Sequence, residues 1–290
     1  MSHKFKSFPM WVSGQANRHS VAQRLGLRCS VGALLFAFAS AGLTQPAASS
    51  AAEAKAVLMR MAEYMAGMQR FSFTAHANYD TVQPSKQKLE FNETRRYLIA
   101  RPDRFRVDVV ESDGTQQALV FDGKDITVVT PSRNVYAQAA KPGTIDDAIV
   151  FFVRDLHMRL PLAMLLLTTA PQELARRTQS IEIIEKTHVL GTPAVHLAGR
   201  AATVDYQIWV ADSDKPLPLR LVLTYKQSPG QPQFRAQFTD WNSAPLLTDA
   251  TFAFTPPAGA QNVAFLAQMA RSAGKPRSAA SEGKKAGEKK

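Results

Sequence analysis

The chain has 290 residues, of which 45% are hydrophobic, and its formal net charge is +11. Most of that charge lies at the two ends: residues 1–28 contain five Lys or Arg and no acid, and residues 271–290 contain seven Lys or Arg against two Glu. The stretch between the ends is therefore nearly neutral, and it lacks the excess of positive charge that is typical of nucleic-acid-binding domains. Cys29 is the only cysteine, which excludes a disulfide framework.

The amino-terminal region has the organisation of an export signal. The basic residues 1–28 precede an apolar run over residues 29–43, and Ala39-Ser40-Ala41 supplies small residues for cleavage. We predict a signal peptide over residues 1–41, with other cleavage positions up to about residue 52, and a periplasmic location. The alternative is an uncleaved inner-membrane anchor, but the apolar run is shorter than the ~20 residues that a spanning helix needs.

The first half of the remaining chain predicts one helix followed by short strands. Residues 53–69 carry an apolar stripe at helical spacing that includes three methionines, whose flexible side chains suit a core or a ligand surface. Alternating or β-rich patterns then occur at 71–75, 87–100, 105–109, 119–121, 126–129 and 133–138. The pair Asp122-Gly123 between two such runs is typical of a hairpin turn.

A helical excursion interrupts the strands before they resume. Thr144 is a suitable N-cap, Asp146 and Asp147 complement the helix dipole, and Pro161 and Pro171 suit the first turns of two further helical segments. After residue 179 the patterns predict a hairpin over 181–198 and strands near 204–208, 217–225 and 234–238. We predict a mainly β (α+β) domain with a curved antiparallel sheet or incomplete barrel, rather than a βαβ fold.

The sequence contains no common hydrolase, nucleotide-binding or zinc motif, so we expect no catalytic residues, no metal and no cofactor. His188 and His196 could face each other across a three-residue turn, but polar cross-strand neighbours are the favoured interpretation because a third metal ligand is not evident. Asp146 and Asp147 could form an acid–base pair, although helix capping explains them better.

Aromatic and apolar side chains spread over many strands could line one concave face. If the helices fill that face it is a plain core, and if they form a lid it is a cavity for acyl chains, which bind at about 0.8 kcal/mol per buried methylene. The sequence leaves both open. The predicted cavity residues are Met61, Met68, Phe73, Phe91, Phe105, Phe121, Phe152, Trp209 and Phe238.

Several short motifs resemble a known superfamily. The runs Arg101-Pro102-Asp103-Arg104-Phe105-Arg106 and Phe121-Asp122-Gly123-Lys124, with Tyr136, look like the first half of periplasmic outer-membrane lipoprotein carriers (the LolA/LolB-like superfamily). Residues 252–259 resemble their closing segment. Residues 53–260 as a whole are similar to a family of predicted periplasmic proteins of unknown function in that superfamily.

The resemblance implies a half-open, strongly curved antiparallel β-barrel closed by a helical lid and holding lipid chains. It implies that Arg101 hydrogen-bonds the lid backbone and keeps the empty cavity shut, with Met65 at the position of a closure leucine on the first helix. The apolar insertion at 162–167 and the basic tail depart from the carriers.

These observations predict a single carrier-like domain over residues 53–266 and a disordered basic tail over residues 271–290. We expect a non-enzymatic monomer that binds a lipid or an acylated protein and no nucleic acid. The tail suits contact with an anionic membrane surface or a solubilising role. The alternative function is an envelope protein-interaction or stress-sensing module with the same fold.

Overall fold

The computed structural model describes residues 47–156, 158 and 160–265. The chain divides into units 1–44 and 45–290, and all described residues belong to the second. The predicted signal peptide (1–41) and basic tail (271–290) lie outside the described residues. Within these residues, no helix combines the length and the hydropathy that a membrane crossing requires.

The described part of the chain contains four α-helices and twelve strands. The first half comprises α1 (Ala47–Gly67), β1 (Arg70–Val82), β2 (Lys88–Ala100), β3 (Arg104–Glu111), β4 (Gln116–Phe121), β5 (Asp125–Thr130) and β6 (Val135–Ala140). The excursion comprises α2 (Ile145–Arg154), a 3₁₀ turn (Ala163–Leu165) and α3 (Ala170–Arg177). The second half comprises β7 (Thr178–Val189), β8 (Thr192–Ala201), β9 (Val204–Ala211), β10 (Pro218–Tyr225), β11 (Gln233–Asn242), α4 (Asp249–Phe252) and β12 (Gln261–Asn262).

All twelve strands form one sheet in the order β12-β6-β5-β4-β3-β2-β1-β11-β10-β9-β8-β7. Neighbouring strands are antiparallel except at β12, which pairs in parallel with β6 over two residues. The sheet is highly curved and is not closed by hydrogen bonds, because β7 and β12 are both edges. The predicted mainly β, half-open architecture is confirmed.

Helices α1, α2 and α3 cover one side of this sheet, which we call the inner face. Alternate residues of each strand point inward, as Phe71, Phe73, Ala75 and Ala77 do on β1. These side chains share one buried core with α1, α2 and the 3₁₀ turn, which together with α3 make the helical lid. Burial of the inner face against the lid is the main stabilising term of the domain.

Element boundaries differ from the sequence predictions at three places. The first helix already includes the first described residue, Ala47, ahead of the predicted start at residue 53, and it ends at Gly67. The additional residues 47–52 are rich in alanine, a strong helix former. The segment predicted to be helical after Pro161 forms only the 3₁₀ turn, packed through leucines. The hairpin of β7 and β8 turns through Leu190 and Gly191, two residues rather than three.

Candidate functional site

Most of the predicted cavity residues meet on the inner face. Phe73 stacks on Tyr97 with 4.5 Å between ring centroids and on Trp241 with 4.4 Å, and Phe105 lies 5.6 Å from Phe121. The members buried together in this core are Met61, Phe73, Phe105, Phe121, Phe152 and Phe238, and Met68 is half-buried against them.

Two predicted cavity residues lie elsewhere. Trp209 points away from the inner face because it alternates with the buried residues Ile208 and Val210, and it stacks on His196 at 3.9 Å on the outer face. Including it among the cavity residues was therefore wrong. Phe91 has the inward parity but remains 37% exposed near the β1–β2 turn, where it packs on Tyr79.

The inner face is filled in this structure. Two clefts, of about 500 Å³ and 290 Å³, lie at β7–β10 and between α1, α3 and the start of β7. Neither is lined by a residue of the predicted cavity. The lid packs directly on the inner-face side chains that the sequence analysis assigned to a cavity.

Arg101 joins two parts of the lid to the sheet. Its Nε donates to the carbonyl oxygen of Met68 at 3.0 Å, and Nη1 donates to the carbonyl of Leu166 at 2.8 Å. Nη2 lies 3.5 Å from the carbonyl oxygen of Met65, and the guanidinium lies 5.7 Å from the Phe71 ring centroid. One side chain thus connects the end of α1 with the segment after the 3₁₀ turn. The side chain of Met65 is itself buried in the core.

The turn between β2 and β3 fixes Arg101 in this position. The Arg101 backbone N–H donates to Gln69 at 2.8 Å, and the next carbonyl, of Pro102, accepts from Ile145 at the start of α2. Burial lowers the pKa of Arg101, and the carboxylate of Asp146 opposes that shift. Because the guanidinium is bound by backbone carbonyls, its cost of burial is offset by charge-assisted hydrogen bonds.

The segment from residue 160 to residue 169, which we call the strap, lies over the core between α2 and α3. It buries the side chains of Leu162, Leu165 and Leu166. Its far end is bound by Asp146, which accepts from the Thr168 N–H at 3.0 Å and from the Thr168 hydroxyl at 2.6 Å. The sequence alone indicated only that Asp146 complements the dipole of α2. In the structure Asp146 also binds the strap.

The other proposed polar clusters resolve into structural contacts. Thr144 and Asp147 form a capping box at the start of α2, which confirms the predicted cap. His188 pairs with Pro193 and His196 with Glu185, so the two imidazoles do not face each other. Among the described residues, no group of His, Cys, Asp and Glu has the arrangement of a metal site.

Sequence reasoning missed a polar cluster on the inner face near the β3–β4 turn. The carboxylate of Glu93 is 2.7 Å from Nε of Arg95, and Tyr97 follows at the next inward position. Glu93 pairs across the strands with Glu111, and burial, reinforced by Asp113 and Glu93, raises the pKa of Glu111. The sequence could have revealed this cluster, because residues 93 and 95 lie on the same face of the strand as Phe91 and Tyr97.

Residues 54–266 match the family described as "Predicted periplasmic protein (DUF2092)". The chain belongs to this family. The match confirms the predicted family and the periplasmic assignment that its description carries. No curated protein matches the sequence.

Several solved structures are similar at low sequence identity. An uncharacterized conserved protein from Thermus thermophilus has 13% identity and a TM-score of 0.42, covering 73% of this chain and 99% of that one. A LolA superfamily protein from Nitrosomonas europaea has 13% identity and a TM-score of 0.34, covering 69% and 97%. The lipoprotein LppX from Mycobacterium tuberculosis has 11% identity and a TM-score of 0.42, covering 68% and 99%. These likenesses are weak, and the assignment rests on the family match.

Proposed function

We propose that this family member is a non-enzymatic periplasmic carrier that takes the acyl chains of a lipid or an acylated protein onto its inner face when the lid opens. The observation that supports this most is the placement of Arg101, which binds the carbonyls of Met68 and Leu166 over the apolar part of the inner face. Hydrogen bonds to lid carbonyls can be broken and remade without disturbing the sheet.

The energetics of opening indicate which ligands suit the site. Displacing Leu162, Leu165 and Leu166 from the core costs about 1.5–3 kcal/mol for each side chain. A chain that buries about six methylenes contributes only about 5 kcal/mol, whereas a diacyl lipid that buries about twenty contributes about 16 kcal/mol. We therefore expect long-chain and multi-acyl ligands to load in preference to short fatty acids.

Native mass spectrometry of the purified protein after incubation with vesicles of long-chain diacyl phospholipid tests the proposal. We expect a one-to-one lipid adduct, recovered chemically intact on extraction, and a monomeric protein mass. An eight-carbon fatty acid serves as the matched ligand and is expected to give no adduct. Recovery of a cleaved lipid would instead favour an enzyme.

A protein-interaction or stress-sensing module with the same fold is the second candidate. In that case the lid stays closed and the core is purely structural. Persistent apo protein in the presence of diacyl vesicles, with the strap unmoved, would support this candidate and contradict the carrier.

A further inference from the structure

The strap is held at two points that lie two residues apart in sequence. Arg101 donates to the Leu166 carbonyl, and Asp146 accepts from the backbone N–H and hydroxyl of Thr168. The Thr169 hydroxyl adds a longer contact of 3.5 Å to the same carboxylate. Arg101 follows β2 and Asp146 lies in the first turn of α2, so the two fastenings come from separate elements.

The two fastenings also act on each other. Asp146 is close enough to Arg101 to oppose the effect of burial on the arginine pKa. Each side chain nevertheless makes hydrogen bonds to the strap, the cation to a carbonyl and the carboxylate to donors. Arg101 and Asp146 therefore each bind the strap directly, in addition to attracting one another.

The strap is held less extensively than α1, the other part of the lid that Arg101 contacts. α1 buries six side chains, Ala54, Val57, Leu58, Met61, Ala62 and Met65, and is joined to β1 by only two residues. The strap buries three leucines and contains a single 3₁₀ turn. Separating the strap from the core thus exposes less apolar surface than separating α1.

We infer that Asp146 is a positioning residue that fastens the strap at a second point, so that the strap, rather than α1, is the part that moves when the inner face opens. The inference rests on the proposed carrier function. It assigns to Asp146 a share of the closure that the sequence resemblance placed on Arg101 and Met65 alone.

Hydrogen exchange in the Asp146→Ala variant tests this inference. The amides to follow are those of Leu165 and Leu166, which bond to Leu162 and Ala163 within the strap and do not contact Asp146. Loss of a carboxylate acceptor is expected to speed their exchange about tenfold while amides of β1 and β2 stay protected. Asp146→Asn should restore most of the protection, because its amide oxygen still accepts from the Thr168 N–H.

Asp147→Ala is the matched control. It removes the same charge from the same turn of α2, but its carboxylate bonds Thr144 instead of the strap. Equal acceleration in the two alanine variants, or equal acceleration across the sheet, would overturn the inference. So would exchange that is unchanged in Asp146→Ala.

The exchange readout is independent of lipid. If Asp146→Ala frees the strap and no diacyl phospholipid binds, the fastening is correct and the carrier function is wrong. If lipid loads equally in the wild type and the variant and strap exchange does not change, the carrier function stands and the fastening role of Asp146 fails.

Discussion

Replacing Arg101 with leucine removes the side chain that connects both parts of the lid. The variant loses the hydrogen bonds at 3.0 Å and 2.8 Å to the carbonyls of Met68 and Leu166, together with the longer contact to Met65. Hydrogen bonds from a charged donor contribute about 1.5–3 kcal/mol each. Because the strap moves on opening and α1 does not, only the Leu166 bond distinguishes the closed form from the open one. Its loss should weaken the closed form by about 1.5–3 kcal/mol, or roughly tenfold to a hundredfold in the closed-to-open ratio.

The functional consequence follows from competition between closure and ligand. The apparent dissociation constant equals the intrinsic constant divided by the open fraction. Arg101→Leu should therefore bind a fluorescent diacyl lipid more tightly, by up to about a hundredfold, until the open form predominates. Release should slow correspondingly, because closure no longer helps to expel the chains.

The assay measures transfer of the fluorescent lipid from loaded protein to acceptor vesicles. Arg104→Leu is the control, since it removes a nearby arginine that pairs with Asp249 on the exposed side of β3. Slower release and higher retention only in Arg101→Leu are expected. Identical binding and release in the two variants would refute the argument that Arg101 closes the inner face.

Three further outcomes follow from the described contacts. Phe105→Leu should reduce lipid retention and Trp209→Leu should not, because only Phe105 lies on the inner face; the lipid adduct in native mass spectrometry distinguishes them. Glu111→Gln should raise the melting temperature more at pH 7 than at pH 4. Burial, Asp113 and Glu93 raise the pKa of Glu111, so the stability that its protonated form contributes is lost as the pH rises. An equal gain at both pH values would contradict this. Asp80 has its pKa lowered by Arg235 against the opposing effect of burial, so it stabilises the fold above the unfolded pKa and this contribution is lost as the pH falls through the folded value. Asp80→Asn should lower the free energy of unfolding by about 1–3 kcal/mol at pH 7 and by less near pH 3, as urea titrations would measure.

Much of the architecture could be predicted from local patterns. The alternation of β1 to β6, the turn at Gly123 with φ of 91° and the capping box at Thr144 are properties of neighbouring residues. Each depends on interactions within a few positions, so a single sequence contains the information. The predictions were weaker at the 3₁₀ turn, where apolar composition suits a buried helix and a packed irregular segment equally.

The site was predictable in part. The alternation of side chains along a strand would by itself have removed Trp209 from the predicted cavity residues, because Trp209 is adjacent to the inward-facing Ile208 on β9. It would also have placed Glu93 and Arg95 on the same face as Tyr97. Aromatic character was the misleading criterion, since a large ring packs as readily on the outer face against a histidine as within the core.

The sequence by itself determined the order of helices and strands, the apolar character of one sheet face and the similarity around Arg101. Only the tertiary structure decided that the inner face is filled and that Arg101 meets Met68 and Leu166, which lie 33 and 65 residues away in the chain. The physical reason is that the acceptors are backbone carbonyls. Every residue has a backbone carbonyl, so the pattern of side chains does not indicate which carbonyl a buried arginine will bind. That choice depends on which part of the backbone the fold brings close to the arginine.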